Sequence, residues 1–211
     1  MQSLRVYETF LSIQGESTYA GCPCFFIRLA GCNLRCRYCD TSYAWVGGKE
    51  MSILQLVQKA DASGAGVVEI TGGEPLVQDG VPALARELLK AKGRRVLLET
   101  NGSRDISVVP ECVVRIVDVK CPGSGAEESF LESNIRHLGP NDEVKFVLGD
   151  RKDFDWARRF TEGHSLVSKV NAVLFSPVNG KLKPAKLADW ILDCGLNVRL
   201  QVQIHRLAGL R

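Results

Sequence analysis

The chain has 211 residues, 45% of them hydrophobic and 24% charged, with a formal net charge of +3. That is the balance of a globular protein able to bury a sizeable core, and it is too weakly basic to argue for a nucleic-acid partner. No run approaches the roughly 18 apolar residues of a membrane span, and "MQSLRVYETF" lacks the apolar core of a secretory signal. A cytoplasmic protein with no membrane partner is therefore expected. Its eight cysteines would be reduced, and available to a metal or to packing rather than to disulfides.

In chain order, strands are expected at "CFFIRLA" (24–30), "GVVEIT" (66–71), "RVLLET" (95–100), "VVRIVDVK" (113–120), "EVKFVL" (143–148), "AVLFS" (172–176) and "NVRLQVQI" (197–204). Their Val, Ile, Leu and Phe content, with little alternation, suits parallel strands covered on both faces. Between them lie helical stripes. Ile53, Leu56, Val57 and Ala60 follow a Ser52–Gln55 capping box. Val81, Leu84, Ala85, Leu88 and Leu89 precede a stop at Gly93, and Leu187, Trp190, Ile191 and Cys194 precede Gly195. A weaker helix covers 153–161. This alternation predicts a single α/β domain over 1–211. It is too short for the roughly 250 residues of an eightfold barrel, and fits a partial (β/α)6-type barrel of about six mostly parallel strands. Such folds place ligands at the C-terminal ends of strands.

Two of those strand ends carry unusual residues. After "CFFIRLA" comes "GCNLRCRYCDT", with Cys32, Cys36 and Cys39 spaced C-x3-C-x2-C. A structural zinc or an electron-transfer cluster wants four protein ligands, and only Cys22 and Cys24 lie nearby in sequence. Three thiolates on a cubane [4Fe–4S] cluster would leave one iron open to a reactant. After "GVVEIT" comes "TGGEP" (71–75), where two glycines permit close backbone approach and Glu74 has the charge to hold an ammonium group.

The cysteine loop, with Tyr38 before the last cysteine, resembles that of the radical S-adenosylmethionine (SAM) enzymes. In that family SAM chelates the open iron, and an electron from the cluster cleaves it to a 5′-deoxyadenosyl radical. "FLSIQGEST" (10–18), "CDT", "TGGEP", "ETNGS" (99–103), "DVKCPGSG" (118–125), "DEVKFVL" (142–148) and "QIHR" (203–206) together resemble the 7-carboxy-7-deazaguanine synthase family. The resemblance implies conversion of 6-carboxy-5,6,7,8-tetrahydropterin to 7-carboxy-7-deazaguanine and ammonia, on the way to queuosine and related 7-deazapurines. It further implies Mg²⁺, a pterin substrate, a flavodoxin- or ferredoxin-type reductant and a homodimer.

Residue by residue, the resemblance implies that Cys32, Cys36 and Cys39 hold the cluster and that Thr41 offers its hydroxyl to Mg²⁺. It assigns Ile13, Gln14, Gly15, Glu16, Arg28, Thr71, His205 and the terminal Arg211 to substrate. It assigns Tyr38, Gly73, Glu74, Glu99, Asn101, Asp118, Val119, Lys120, Ser176, Pro177, Val178 and Asn179 to SAM. Arg28 is notable by itself, because a charge among "FFI" and "LA" needs either a ligand carboxylate or an internal ion pair. His205 is expected at the end of the last strand. Some family members have Ser-Pro-Lys at 118–120, Gln-Pro at 176–177 or an insertion in the cysteine loop, and this chain departs from them there. Two other readings stay open. An activase placing a glycyl radical on a partner enzyme would need no pterin pocket. A non-enzymatic iron–sulfur carrier would need a fourth ligand and no SAM pocket.

Overall fold

The computed structural model describes residues 2–210. One sheet of nine strands runs in the order β3-β1-β2-β4-β5-β6-β7-β8-β9. The strands are β1 (Ser3–Ile13), β2 (Pro23–Leu29), β3 (Lys49–Ser52), β4 (Val67–Gly72), β5 (Arg95–Thr100), β6 (Val114–Asp118), β7 (Glu143–Leu148), β8 (Ala172–Pro177) and β9 (Arg199–Leu200). From β2 to β9 every neighbouring pair is parallel, while β1 pairs antiparallel with both β2 and β3. The sheet curls without closing, a partial barrel of six full-length parallel strands.

The helices are α1 (Ile53–Ala62), α2 (Val81–Leu88), α3 (Arg151–Gly163), α4 (Leu166–Lys169), α5 (Pro184–Cys194) and α6 (Ile204–Leu207). The capping box predicted at Ser52 and Gln55 forms in both directions and starts α1. Gly195 ends α5 in the left-handed conformation, as expected of a glycine just past the last turn. The second helix stops at Leu88, and left-handed Gly93 instead terminates the turn that follows it.

The strands alternate more than their sequences suggest. Phe25, Ile27 and Leu29, Val68 and Ile70, and Val96 and Leu98 share one buried cluster with Leu56 of α1 and Leu84 and Leu88 of α2. Val144, Phe146, Leu148, Val173 and Phe175 share a second with Phe154 of α3 and Leu187 of α5. The intervening positions point the other way and carry Arg28, Glu69, Thr71, Glu99, Asp118, Lys145 and Ser176, all lining a single cavity. One face is thus an apolar bed for helices, and the other is a concave polar wall. Apolar burial at about 25 cal/mol/Å² holds the first, and it provides the rigid frame on which charges of the second can be fixed.

One element was not anticipated and one expectation fails. β1 lies along the cavity edge although its alternating polar residues interrupt any apolar run, with Leu4 and Val6 turned into the core and Glu8 and Phe10 toward the cavity. The predicted last strand (197–204) is only Arg199–Leu200, so His205 sits in the short helix α6 rather than at a strand end. The Gln203 amide bonds Glu16 and Asp40, which draws the chain out of the sheet and across the cavity.

Arg115, a charge in an apolar strand like Arg28, faces away from the cavity. It forms a buried bidentate pair with Asp142, at 2.8 and 2.6 Å, and donates to the His137 carbonyl. Removing one partner strands the other charge. Asp142→Ala should cost about 3–5 kcal/mol in a denaturant titration, while ligand affinities measured on the folded fraction stay at wild-type values.

Candidate active site

The cavity has a volume of about 610 Å³ and sits at the C-terminal ends of the parallel strands, within the range of small-molecule sites. Cys32, Cys36 and Cys39 line one side on the irregular loop after β2. All three are free, half-buried thiols, and none of the other five cysteines lines the cavity. Among the described residues no three His, Cys, Asp or Glu side chains converge on one ion. Three thiols spread around a shared volume, with no fourth, fit a cubane whose irons are each reached separately. Burial pushes the Cys32 and Cys36 thiols up, partly offset by the Leu34 amide at Cys32 and the Lys120 charge at Cys36. Ligation at these positions must therefore release protons.

The loop's seat explains the glycines of "TGGEP". A Cβ on Gly73 would lie 2.2 Å from the Gly31 carbonyl oxygen and 2.7 Å from the Cys32 Cβ. Gly72 has φ +153°, and a Cβ there would lie 2.3 Å from the Leu29 carbonyl oxygen. The backbone amides of Gly73 and Glu74 donate to Leu29 and Gly31, at 3.2 and 2.8 Å. These glycines pack strand β4 against the cysteine loop. Glu74 does not line the cavity: its buried carboxylate accepts from the Leu76 and Asn101 amides and the Thr100 hydroxyl. Any ligand contact here falls to backbone. Val119 also lies outside the cavity, in the helix-side core.

The remaining described candidates, Ile13, Gln14, Gly15, Glu16, Arg28, Tyr38, Thr41, Thr71, Glu99, Asn101, Asp118, Lys120, Ser176, Pro177, Val178, Asn179 and His205, all line it. Arg211 lies outside the described residues. Arg28 pairs through Nε with Glu8 at 3.0 Å, and its terminal nitrogens make no hydrogen bond among the described residues. The internal ion pair and a ligand grip are thus compatible. Gln14 is spent at both ends, its Nε2 donating to Glu69 and its Oε1 accepting from the Glu16 amide. The Tyr38 hydroxyl donates to the Val147 carbonyl at 2.9 Å, anchoring the cysteine loop to β7. Gly15 is needed because the His205 ring packs directly on it, and a Cβ there would overlap Nδ1.

Lys145, Asp40 and Glu69 line the cavity and escape the sequence reading. Lys145 sits at the centre, its ammonium meeting Glu16 at 2.8 Å, Asp118 at 3.4 Å, and Glu99. Parallel register sets Asp118 beside Lys145. Burial alone would push that ammonium down, but Glu16, Glu99 and Asp118 outweigh it and hold it well up. Burial likewise pushes Asp118 up, and Lys120 and Lys145 hold it below the usual carboxylate range. Asp118 Oδ1 has no hydrogen-bond partner among the described residues, a vacant acceptor suited to a cofactor donor. Asp40 accepts from Thr41, Gln203 and Arg206, at 3.0, 3.1 and 3.0 Å, which joins the cysteine loop to α6. Glu69 lies fully buried beneath Gln14. The signal for Glu69 was the one that singled out Arg28, a lone charge in an apolar strand, and Lys145 is likewise a charge set between Val and Phe.

Residues 26–121 match the radical SAM superfamily. The chain is 46% identical to the 7-carboxy-7-deazaguanine synthase of Koribacter versatilis over 96% of each chain. The chain belongs to this family. It is also 42% identical to the Chlorobaculum tepidum synthase, over 96% of this chain and 93% of the relative. The crystal structure of QueE from Escherichia coli shares the fold, with a TM-score of 0.78 at 24% identity over 95% of this chain and 94% of that one. Radical SAM membership implies a [4Fe–4S] cluster and SAM, which the three thiols and the vacant Asp118 oxygen fit. No helix among the described residues is long and apolar enough to cross a membrane.

Gly73→Ala should push the cysteine loop out of place. Anaerobic reconstitution of that variant should yield markedly less bound iron and sulfide per chain than wild type, at an unchanged circular dichroism spectrum.

Proposed function

We propose that this chain converts 6-carboxy-5,6,7,8-tetrahydropterin to 7-carboxy-7-deazaguanine with loss of ammonia. The observation that carries this reading is one cavity in which three thiols face a wall of fixed charges suited to a polar heterocycle. Bound cluster and SAM would together supply an electron and a carbon-centred radical for hydrogen abstraction at the carbon bearing the carboxylate.

The chain's own part is to bind, orient and shield. Cys32, Cys36 and Cys39 would hold the cluster. Gly73, Tyr38, Asn101, Asp118, Lys120 and the segment 176–179 are offered to SAM. Arg28 presents guanidinium nitrogens that make no hydrogen bond among the described residues, and a substrate carboxylate there would form a strong and directional pair. Thr71 and the strand-end segment from Ile13 to Glu16 flank the same space, and His205 covers it. Because the Thr41 hydroxyl donates to Asp40, its lone pairs stay available to a hard cation, and we assign Mg²⁺ there. Lys145 holds Glu16, Glu99 and Asp118 in place, so ligands meet acceptors that need no reorganisation. A flavodoxin- or ferredoxin-type reductant, a homodimer and a cytoplasmic location are carried from the resemblance alone.

The test is anaerobic reconstitution followed by mass spectrometry with SAM, dithionite, Mg²⁺ and the carboxytetrahydropterin. The deazaguanine acid should accumulate in excess of SAM consumed, and Cys36→Ala should make none. SAM cleavage without this product would overturn the substrate, and no SAM cleavage by reduced wild-type protein would favour an electron carrier. Thr41→Ala should lower turnover in Mg²⁺ far more than it lowers SAM affinity. An unchanged Mg²⁺ dependence would remove the metal assignment.

A further inference from the structure

Among the described residues, Glu69 is the one acidic side chain lining the cavity that forms no ion pair. It lies on β4, two residues before Thr71, and is only 3% exposed while lining the cavity. The cations nearby are taken: Lys145 by Glu16, Glu99 and Asp118, and Arg28 by Glu8. Glu69 forms no ion pair among the described residues. Among the described residues its only side-chain hydrogen bond is the one Oε2 accepts from Gln14 Nε2, and Oε1 makes none. The Glu69 side chain is thus held among buried groups while that oxygen is left to the cavity, where a ligand can complete its hydrogen bonding.

We propose that Glu69 touches the bound substrate as a neutral carboxylic acid, its Oε1 hydroxyl donating a hydrogen bond to an acceptor of the heterocycle, a lactam carbonyl or an unprotonated ring nitrogen. The inference rests on the pterin reading given above and adds a specificity-determining contact to it. With the proton on, the hydrogen-bond roles divide: Gln14 Nε2 donates to Oε2, which serves as the carbonyl oxygen, and Oε1 carries the proton. An ionised Glu69 would instead demand an N–H from the ligand at that point, so the proton decides which edge of the ring is read. The surroundings keep the proton on. Burial raises the carboxyl well above its usual range, the Glu99 charge from β5 and the Glu16 charge after β1 raise it further, and Lys145 of β7 and Arg28 of β2 oppose this only in part. The other titratable neighbour from β2, Cys24, is a thiol pushed up by its own burial and so adds no charge. A raised carboxyl keeps its proton below the raised value and loses it as pH climbs through it, and substrate affinity should fall along that limb.

The test is anaerobic calorimetric titration of the carboxytetrahydropterin into reconstituted protein with SAM and no reductant, so that binding is read without turnover. Glu69→Gln keeps both roles, with an amide oxygen for Gln14 and an N–H for the substrate. It should stay within about threefold of wild-type affinity and lose the alkaline decline. Glu69→Ala should weaken binding by roughly 10-fold or more, as for an unmade buried hydrogen bond, while SAM affinity and iron content hold. Wild-type affinity that is flat with pH, or Glu69→Gln binding as poorly as Glu69→Ala, overturns the neutral acid. Unchanged affinity in Glu69→Ala overturns the contact. Should Glu69→Ala fail to fold, the wild-type and Glu69→Gln pH series decide the matter alone. Wild-type protein that binds SAM but no carboxytetrahydropterin overturns the pterin reading itself, a result none of the variant outcomes would mimic.

Discussion

One ammonium group organises the inner wall of this protein. Lys145 stands among the apolar side chains of β7, and a buried lysine without partners would either unfold the strand or give up its proton. Three carboxylates prevent both, one from the turn after β1, one from β5 and one from β6. The pairing is reciprocal for Glu16 and Glu99, whose ion pair is with this lysine, whereas Asp118 is also held by Lys120 at 2.9 Å. The elements that must agree in space are thereby tied at a single atom, and the segment from Ile13 to Glu16 is fixed relative to the strands facing the cysteine loop.

The other ties extend from that centre. Glu16 also accepts from Gln203, which reaches on to Asp40, so the lysine, the chain's last helix and the cysteine loop form one continuous polar chain. Tyr38 fastens the same loop to β7 from its opposite side. The glycine pair at 72–73 lets β4 approach the loop closely enough for backbone bonds. The loop has no regular secondary structure of its own, and these contacts take its place. Preorganisation of this kind is what radical chemistry asks of a protein: reactants held still and solvent kept away.

Much of this was legible in the sequence, for identifiable reasons. The α1 capping box and Gly195 are local signals and appear where expected. The cysteine spacing and the glycine stretch meet in space because both end parallel strands. What was missed is non-local. The polar wall is written as single charges at alternate positions in Val-rich and Leu-rich strands, and without knowing which face receives helices, Arg28, Glu69, Arg115 and Lys145 look alike. Only the fold sends Arg115 to a structural pair with Asp142 and the other three to the cavity. The last strand was overread for the converse reason. "NVRLQVQI" has the composition of a strand, yet the amide of Gln203 finds its partners in Glu16 and Asp40 and the chain leaves the sheet.

The account stands most directly on the claim that Lys145 holds both halves of the cavity. Lys145→Met keeps the side-chain volume and removes the charge. SAM and substrate affinities of the reconstituted variant, measured together with its thermal stability across pH, test that claim. The account predicts that both ligands bind much more weakly at neutral pH and that stability falls by about 3–5 kcal/mol. It also predicts that the stability deficit narrows as acid protonates the unpaired carboxylates. A variant that binds both ligands as wild type does, with a deficit that is absent or independent of pH, would contradict it.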